Sequence, residues 1–268
     1  MRNTLTLLLM VAGSICAAQM ATLEIPKARV LPCEPLYVTI RAEGANIDGV
    51  PLVSLENDAN PVFLSIVMPD GTEMEYVPPA RFMAPDLQQV ARDKHMACVV
   101  LSRGKLVTRE PGNYAAVLKN RCDGEPVSNV ASFSVSEAGS EEDREGLESL
   151  RKHSRQFAWF MYLDGGEHLK EGLETCLALA NGESSYASVC KAVLSINYSA
   201  PSYDVSAGKL RRDKDAELVE KYFPPVDGSV HPGMLRKAID AAARGFGVTL
   251  PAGLSAKLTQ AANAAEGW

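Results

Sequence analysis

The sequence predicts an α+β chain of two domains, an antiparallel β-sandwich followed by an all-α helical bundle or helix-pair domain. Three observations carry this. Residues 21–135 divide into short apolar runs that alternate with period two and are separated by Gly, Pro and Asp. From about residue 140 the apolar spacing changes to steps of three and four. Between the two lies "SEAGSEED", a small, polar and acidic stretch of the kind that separates domains. The reading is an export signal at 1–18, a β-domain at 19–137, a linker at 138–145 and a helical domain at 146–268. A chain of 268 residues is long enough for each half to bury its own core.

The β elements follow in order. "LEIPKARVL" predicts a first strand. "EPLYVTIRA" predicts a second, with Leu36, Val38 and Ile40 alternating against Tyr37, Thr39 and Arg41. "PVFLSIVMPDGTEMEYVPP" reads as a hairpin around Pro69-Asp70-Gly71-Thr72, and "MACVVLSRGKLV" turns at Arg103-Gly104. "GNYAAVLKN" and "PVSNVASFSVSE" close the set, joined through Cys122-Asp123-Gly124. Residues 81–96, "RFMAPDLQQVARDKHM", interrupt the alternation. They predict a long loop with a short helix bearing Leu87 and Val90, placed where rim loops meet ligands.

"REPGNYAAVLKN" puts Tyr114 just after a Pro-Gly turn at the start of a late strand, with "VSNVASFSV" as the next. This resembles the last two strands of immunoglobulin-like sandwiches, in which such a tyrosine bonds back to the preceding corner. The resemblance is one of architecture. The buried strand tryptophan and paired inter-sheet cysteines of antibody domains have no counterpart here. An immunoglobulin-like sandwich followed by a helical domain is also similar to the arrangement in uncharacterised secreted bacterial proteins. Fold at this level implies no activity.

The helical half begins where Ser140 or Asp143 can cap. Leu147, Leu150, Ser154, Phe157 and Met161 then share one helical face, ended by Asp164-Gly165-Gly166. Leu169, Leu173, Cys176, Leu177 and Ala180 form a second face, ended by Asn181-Gly182. A third helix carries Tyr186, Cys190, Val193 and Leu194. "DKDAELVEKYF", "PGMLRKAIDAAARGFG" and "PAGLSAKLTQAANAA" predict three more. In "FAWFMYL", Phe157 and Phe160 are expected inside the bundle. Trp159 or Tyr162 then faces the β-domain or a partner, because adjacent helical residues point in different directions.

The N-terminus, "MRNTLTLLLMVAGSICAAQM", has a cation at Arg2, an apolar run and small residues before Gln19. That is the pattern of a secretory signal cleaved after Ala18, too short to span a bilayer as a helix. Lipidation at Cys16 is a second reading, set back by Ile15 before it. The mature chain then holds no transmembrane segment. Removing residues 1–18 takes away only the charge of Arg2, so net −6 becomes −7. An acidic chain without a basic stripe argues against nucleic-acid binding.

Export places the cysteines in an oxidising compartment. Cys176 and Cys190 sit equal distances either side of Glu183, so an antiparallel helix pair brings both into one seam. Two readings stand: a disulfide clasp, or two buried thiols packing as small apolar groups. Cys98 with Cys122 is a second candidate pair, leaving Cys33 free.

Motifs for catalysis do not surface. His95, His153, His168 and His231 have no H-E-x-x-H or H-x-H spacing, and no phosphate loop or nucleophile elbow is present. His168, Glu167 and Glu171, and the neighbouring Asp164, read as residues of a helix start. No catalytic, cofactor-binding or metal-binding residue is therefore assigned. The expectation is an exported binding or scaffolding protein of the bacterial cell envelope or exterior, secreted or periplasmic, with a protein or envelope component as partner. The alternative is an extracellular hydrolase whose site assembles only in three dimensions.

Overall fold

A computed structural model describes residues 21–42, 46–47, 50–51, 55, 60–79, 94–204, 207–247 and 252–266. The export segment at 1–18 and most of the loop expected at 81–96 lie outside these residues. Residues 94–96 of that stretch belong to a strand.

The chain is mixed α and β, with several antiparallel sheets and, among the described residues, seven helices. The strands are β1 (Ala21–Glu24), β2 (Arg29–Val30), β3 (Leu36–Ala42), β4 (Asn46–Ile47), β5 (Val50–Pro51), β6 (Val62–Val67) and β7 (Glu73–Glu75). They continue with β8 (Lys94–Val99), β9 (Leu101–Ser102), β10 (Lys105–Leu106), β11 (Gly112–Asn120) and β12 (Ala131–Val135). One sheet runs β1-β3-β8 and a second runs β2-β12-β11-β6-β7. Every pairing in them is antiparallel except β2 beside β12. Leu23, Leu36, Val38 and Ile40 of the first sheet share one buried cluster with Leu64, Ile66, Tyr114, Leu118 and Phe133 of the second, so the sheets face each other.

The segment expected as one first strand is two, in different sheets: β1 pairs with β3, β2 with β12. Pro26 stands between them. With no N–H to donate, it ends one ladder, and the chain crosses before starting the other. Tyr114 Oη donates to the carbonyl of Glu110 at 2.6 Å, tying β11 to the corner before it.

The helices are α1 (Glu141–Lys152), α2 (Ser154–Tyr162), α3 (Lys170–Asn181), α4 (Ala187–Tyr198), α5 (Ala216–Tyr222), α6 (Pro232–Phe246) and α7 (Ala252–Ala264). Ser140 caps α1, its Oγ accepting from Asp143 N at 3.0 Å. Asp215 caps α5, and His231 with Pro232 starts α6. The periodicity predicts one helix through 141–162, but His153 leaves helical geometry (φ −126°, ψ 26°) and divides it. The break re-aims the apolar stripe, so that Phe157, Phe160 and Met161 are buried along with Leu147 and Leu150. Between α4 and α5 lies a hairpin the sequence did not predict, β13 (Ser202–Asp204) with β14 (Lys209–Arg212). Its strands are short and polar and carry no apolar alternation to read.

The helices pack on the first sheet through β3, which is buried on both sides. Leu36, Val38 and Ile40 face the second sheet. Tyr37, with Leu31 and Cys33 from the preceding turn, joins the helical cluster that contains Phe157, Leu179, Tyr186 and Met234. The face of Tyr37, Thr39 and Arg41 is thus largely covered, and only Arg41 of the three is exposed.

Two helix crossings approach to backbone contact. A Cβ on Gly172 of α3 would sit 2.5 Å from the carbonyl oxygen of Gln156 in α2. One on Gly245 of α6 would sit 2.2 Å from that of Ser199, just past α4. Since backbone cannot yield as a side chain can, Gly172→Ala should destabilise the chain by about 1–3 kcal/mol. Gly139→Ala, which meets nothing within 4 Å, is the matched control and should be near neutral. Urea denaturation of both variants reads the difference.

Candidate functional site

The turn between β2 and β3 is where strands and helices meet. Cys33 adopts a left-handed conformation, φ 66°, and its N–H donates to the carbonyl of Thr108 at 2.9 Å. Thr108 Oγ1 returns a bond to the Glu34 carbonyl at 2.6 Å. The Glu34 side chain folds back over the turn. Its Oε2 accepts from Leu31 N at 2.9 Å and its Oε1 from Lys27 Nζ at 2.5 Å. Glu34 is 2% exposed. Burial pushes its carboxyl above the usual range, and the ammonium of Lys27 opposes that rise.

The helical side supplies complementary groups. Asp143, in the first turn of α1, accepts from Ser185 N at 2.7 Å and from Ser185 Oγ at 3.3 Å, holding the turn that leads into α4. Tyr186 Oη reaches across to the carbonyl of Pro32 at 2.9 Å. His231 Nδ1 accepts from Gly233 N at 2.9 Å, so the ring proton is on Nε2, which donates to Thr39 Oγ1 at 3.0 Å. One imidazole thereby caps α6 and ties it to β3.

A cleft of about 440 Å³ opens along this seam. Lys27, Arg29, Glu137, Asp143, Ser185 and Ser188 line it. A narrow recess of about 20 Å³ lies behind, bounded by Tyr37, Val230 and His231, and shares Lys27 and Glu34 with the cleft. Cations, carboxylates and hydroxyls face one space. That combination suits a ligand carrying both charges or several hydrogen-bonding groups.

The residues singled out from sequence fall elsewhere. Cys176 and Cys190 are fully buried in the seam between α3 and α4, where Cys176 Sγ donates to the Cys190 carbonyl at 3.5 Å. Burial pushes the Cys176 thiol well up. Cys98 lies in β8 of one sheet, and Cys122 is exposed at the turn beyond β11 in the other. All five described cysteines are free thiols here, so the pairs Cys176–Cys190 and Cys98–Cys122 are not bonded in this structure. In the first pair one sulfur is turned to its counterpart's carbonyl and not to its sulfur. Trp159 and Tyr162 meet edge to face, centroids 6.0 Å apart, and pack beside Val100, Leu101 and Ala158. Asp164 and Glu167 are drawn to separate cations, Asp164 to Lys237 at 2.8 Å and Glu167 to Arg212 at 2.5 Å.

Among the described residues no group of three or more His, Cys, Asp or Glu side chains could hold a metal ion. No helix among them is long and apolar enough to cross a membrane. Sequence reasoning missed the cleft because its walls come from four separated segments. No protein-family model matches the chain, and no curated protein matches it.

Glu34 makes stability depend on pH. A carboxyl raised in the folded state binds its proton more tightly there than in the unfolded chain. Its contribution is full below the ordinary carboxylate pKa and is lost as pH rises through the folded one. Glu34→Gln cannot titrate, so the stability of wild type relative to this variant should fall with rising pH across that window. Urea midpoints at a series of pH values measure it. A difference that grows with pH would show Lys27 outweighing burial. The thiols give a second expectation. In the native state Cys122 should react first with a thiol reagent. Cys176 and Cys190 should react only after unfolding, without reductant, as mass spectrometry of the labelled chain would show.

Proposed function

We propose that this chain is an exported binding protein of the cell envelope or exterior, and that it holds its ligand in the cleft between the strands and the helices. The observation that carries the reading is the engagement of the cleft's ionisable groups. Glu34 is used by Lys27 and the Leu31 N–H, Asp143 by Ser185, and His231 by Gly233 and Thr39. Groups fixed in this way shape and charge a surface. A general acid or base must instead reach a reacting proton. The rim, with Glu137, Ser188 and an Arg29 whose Nε is held by Ser136 Oγ at 2.6 Å, faces a partner of mixed charge, either a protein or an envelope component.

The finer architecture belongs to the same proposal: an immunoglobulin-like sandwich at 19–137 carrying a helical domain at 146–268. Three features support it. Two facing sheets enclose one cluster. The first segment switches sheets at Pro26. The Tyr114 hydroxyl bonds back to Glu110. Export rests on residues 1–18, with secretion or a periplasmic location following cleavage before Gln19, and a lipid at Cys16 as the variant form.

A photo-crosslinking residue at Ser188, compared with one at Cys122 on the far turn, tests the binding reading in the native host. Adducts formed from the cleft and not from the control position, and abolished when Arg29→Glu is added, are expected. Equal labelling from both positions would remove the cleft from the proposal. Intact mass of the purified chain decides export, which requires a mature terminus at Gln19.

A further inference from the structure

The β13–β14 hairpin stands apart from the rest of the surface. Tyr203 and Leu210 are direct cross-strand partners. At 60% and 51% exposed they are the two most exposed large apolar side chains among the described residues. Lys209 and Arg211 on the same strand pair are also exposed, so the described strands present apolar and basic groups in a chain of net charge −6. Among the described residues no third strand joins this ribbon. Its root is fixed. Arg212 bonds the carbonyls of Asn197 at 2.9 Å and Ala200 at 3.2 Å, besides its pair with Glu167.

A groove of opposite character lies between α1 and the α3–α4 turn. It measures about 380 Å³. Glu142, Glu145 and Glu183 give it three carboxylates, and Ala178 and Leu179 give it an apolar portion. Ser184 lines it too. That residue is 7% exposed, and its Oγ has no hydrogen-bond partner among the described residues.

We infer that the hairpin of one copy docks into this groove of a second copy. The charges are complementary, and the apolar pair meets an apolar floor. The two surfaces cannot meet within one chain. The hairpin is rooted at the C-terminal end of α4 and the groove lies at its N-terminal turn, about 18 Å apart for a helix of this length. Each copy thus offers one hairpin and one groove, which can exchange reciprocally in a two-fold pair or continue head-to-tail into rings or open chains. An apolar pair within a small charged rim makes it weak and salt-sensitive.

Sedimentation velocity of the purified chain, over concentrations reaching the sub-millimolar, tests this. The average sedimentation coefficient should rise with concentration and fall back as salt is added. Tyr203→Glu, Lys209→Glu and Glu145→Lys, all at exposed positions, should each weaken association about tenfold or more while leaving the fold intact by circular dichroism. Mixing Lys209→Glu with Glu145→Lys should restore it, because each then offers the other a complementary surface. A monomer at every concentration overturns the inference. So does association that Glu145→Lys leaves unchanged, which would indicate hairpins pairing with each other. A monomer that binds vesicles of anionic phospholipid through Tyr203 also overturns it, assigning the hairpin to a lipid surface.

Discussion

The structure turns on a buried carboxylate. Glu34 closes the turn between β2 and β3 by accepting from the Leu31 N–H, and Lys27 balances its charge. The cost of burying a carboxylate is several kcal/mol, and it is offset only while those partners stay in place. Their geometry holds Cys33 left-handed and projects Leu31, Cys33 and Tyr37 into the helical cluster. The Pro32 carbonyl, exposed by the same turn, receives the Tyr186 hydroxyl. Four consecutive residues, 31–34, thus decide where the helices sit on the sheets.

From that wedge the remaining contacts follow in sequence. Once Tyr186 is anchored, α4 lies in the cluster that Tyr37 of β3 joins. Its residues Val189, Cys190, Val193 and Leu194 are buried among neighbouring helices, and α3, α5 and α6 all pack on it. Asp143 links the first turn of α1 to the turn before α4, and His231 links α6 to β3. At the other end, Arg212 gathers the α2–α3 loop, the end of α4 and β14 around the ring of Tyr198, 4.7 Å below its guanidinium. Each link is a polar group satisfied across two elements. Such groups set relative position, while the apolar clusters supply most of the driving force.

Much of this order was legible in the sequence. Period-two alternation located β3, apolar runs bounded by turn residues located β6, β11 and β12, and capping residues located α1, α5 and α6. What stayed hidden has physical causes. Tyr37 and Thr39 look like a solvent face because amphipathic side chains are compatible with water or with a second layer. The helix break at His153 carries no Pro or Gly to announce it. The β13–β14 ribbon is held by Arg212 and not by an apolar stripe, so no periodicity marks it. The cleft is assembled from residues near 27–34, 137–143, 185–188 and 229, and a linear reading has no means of placing them together.

The same logic separates the interior of this protein from its working surfaces. Inside the seam, charged groups are tied to one another or to backbone, and removing any one would strand its partner in a region of low polarity. Selection for stability alone accounts for those contacts. It does not account for a tyrosine and a leucine displayed side by side on a firmly rooted ribbon, because their exposure adds nothing to the fold and opens a route to aggregation. Nor does it account for three carboxylates gathered around an apolar floor, where like charges repel. Features that cost the isolated chain stability are the ones to examine for contacts outside it, and in this chain they come as a matched pair at opposite ends of α4.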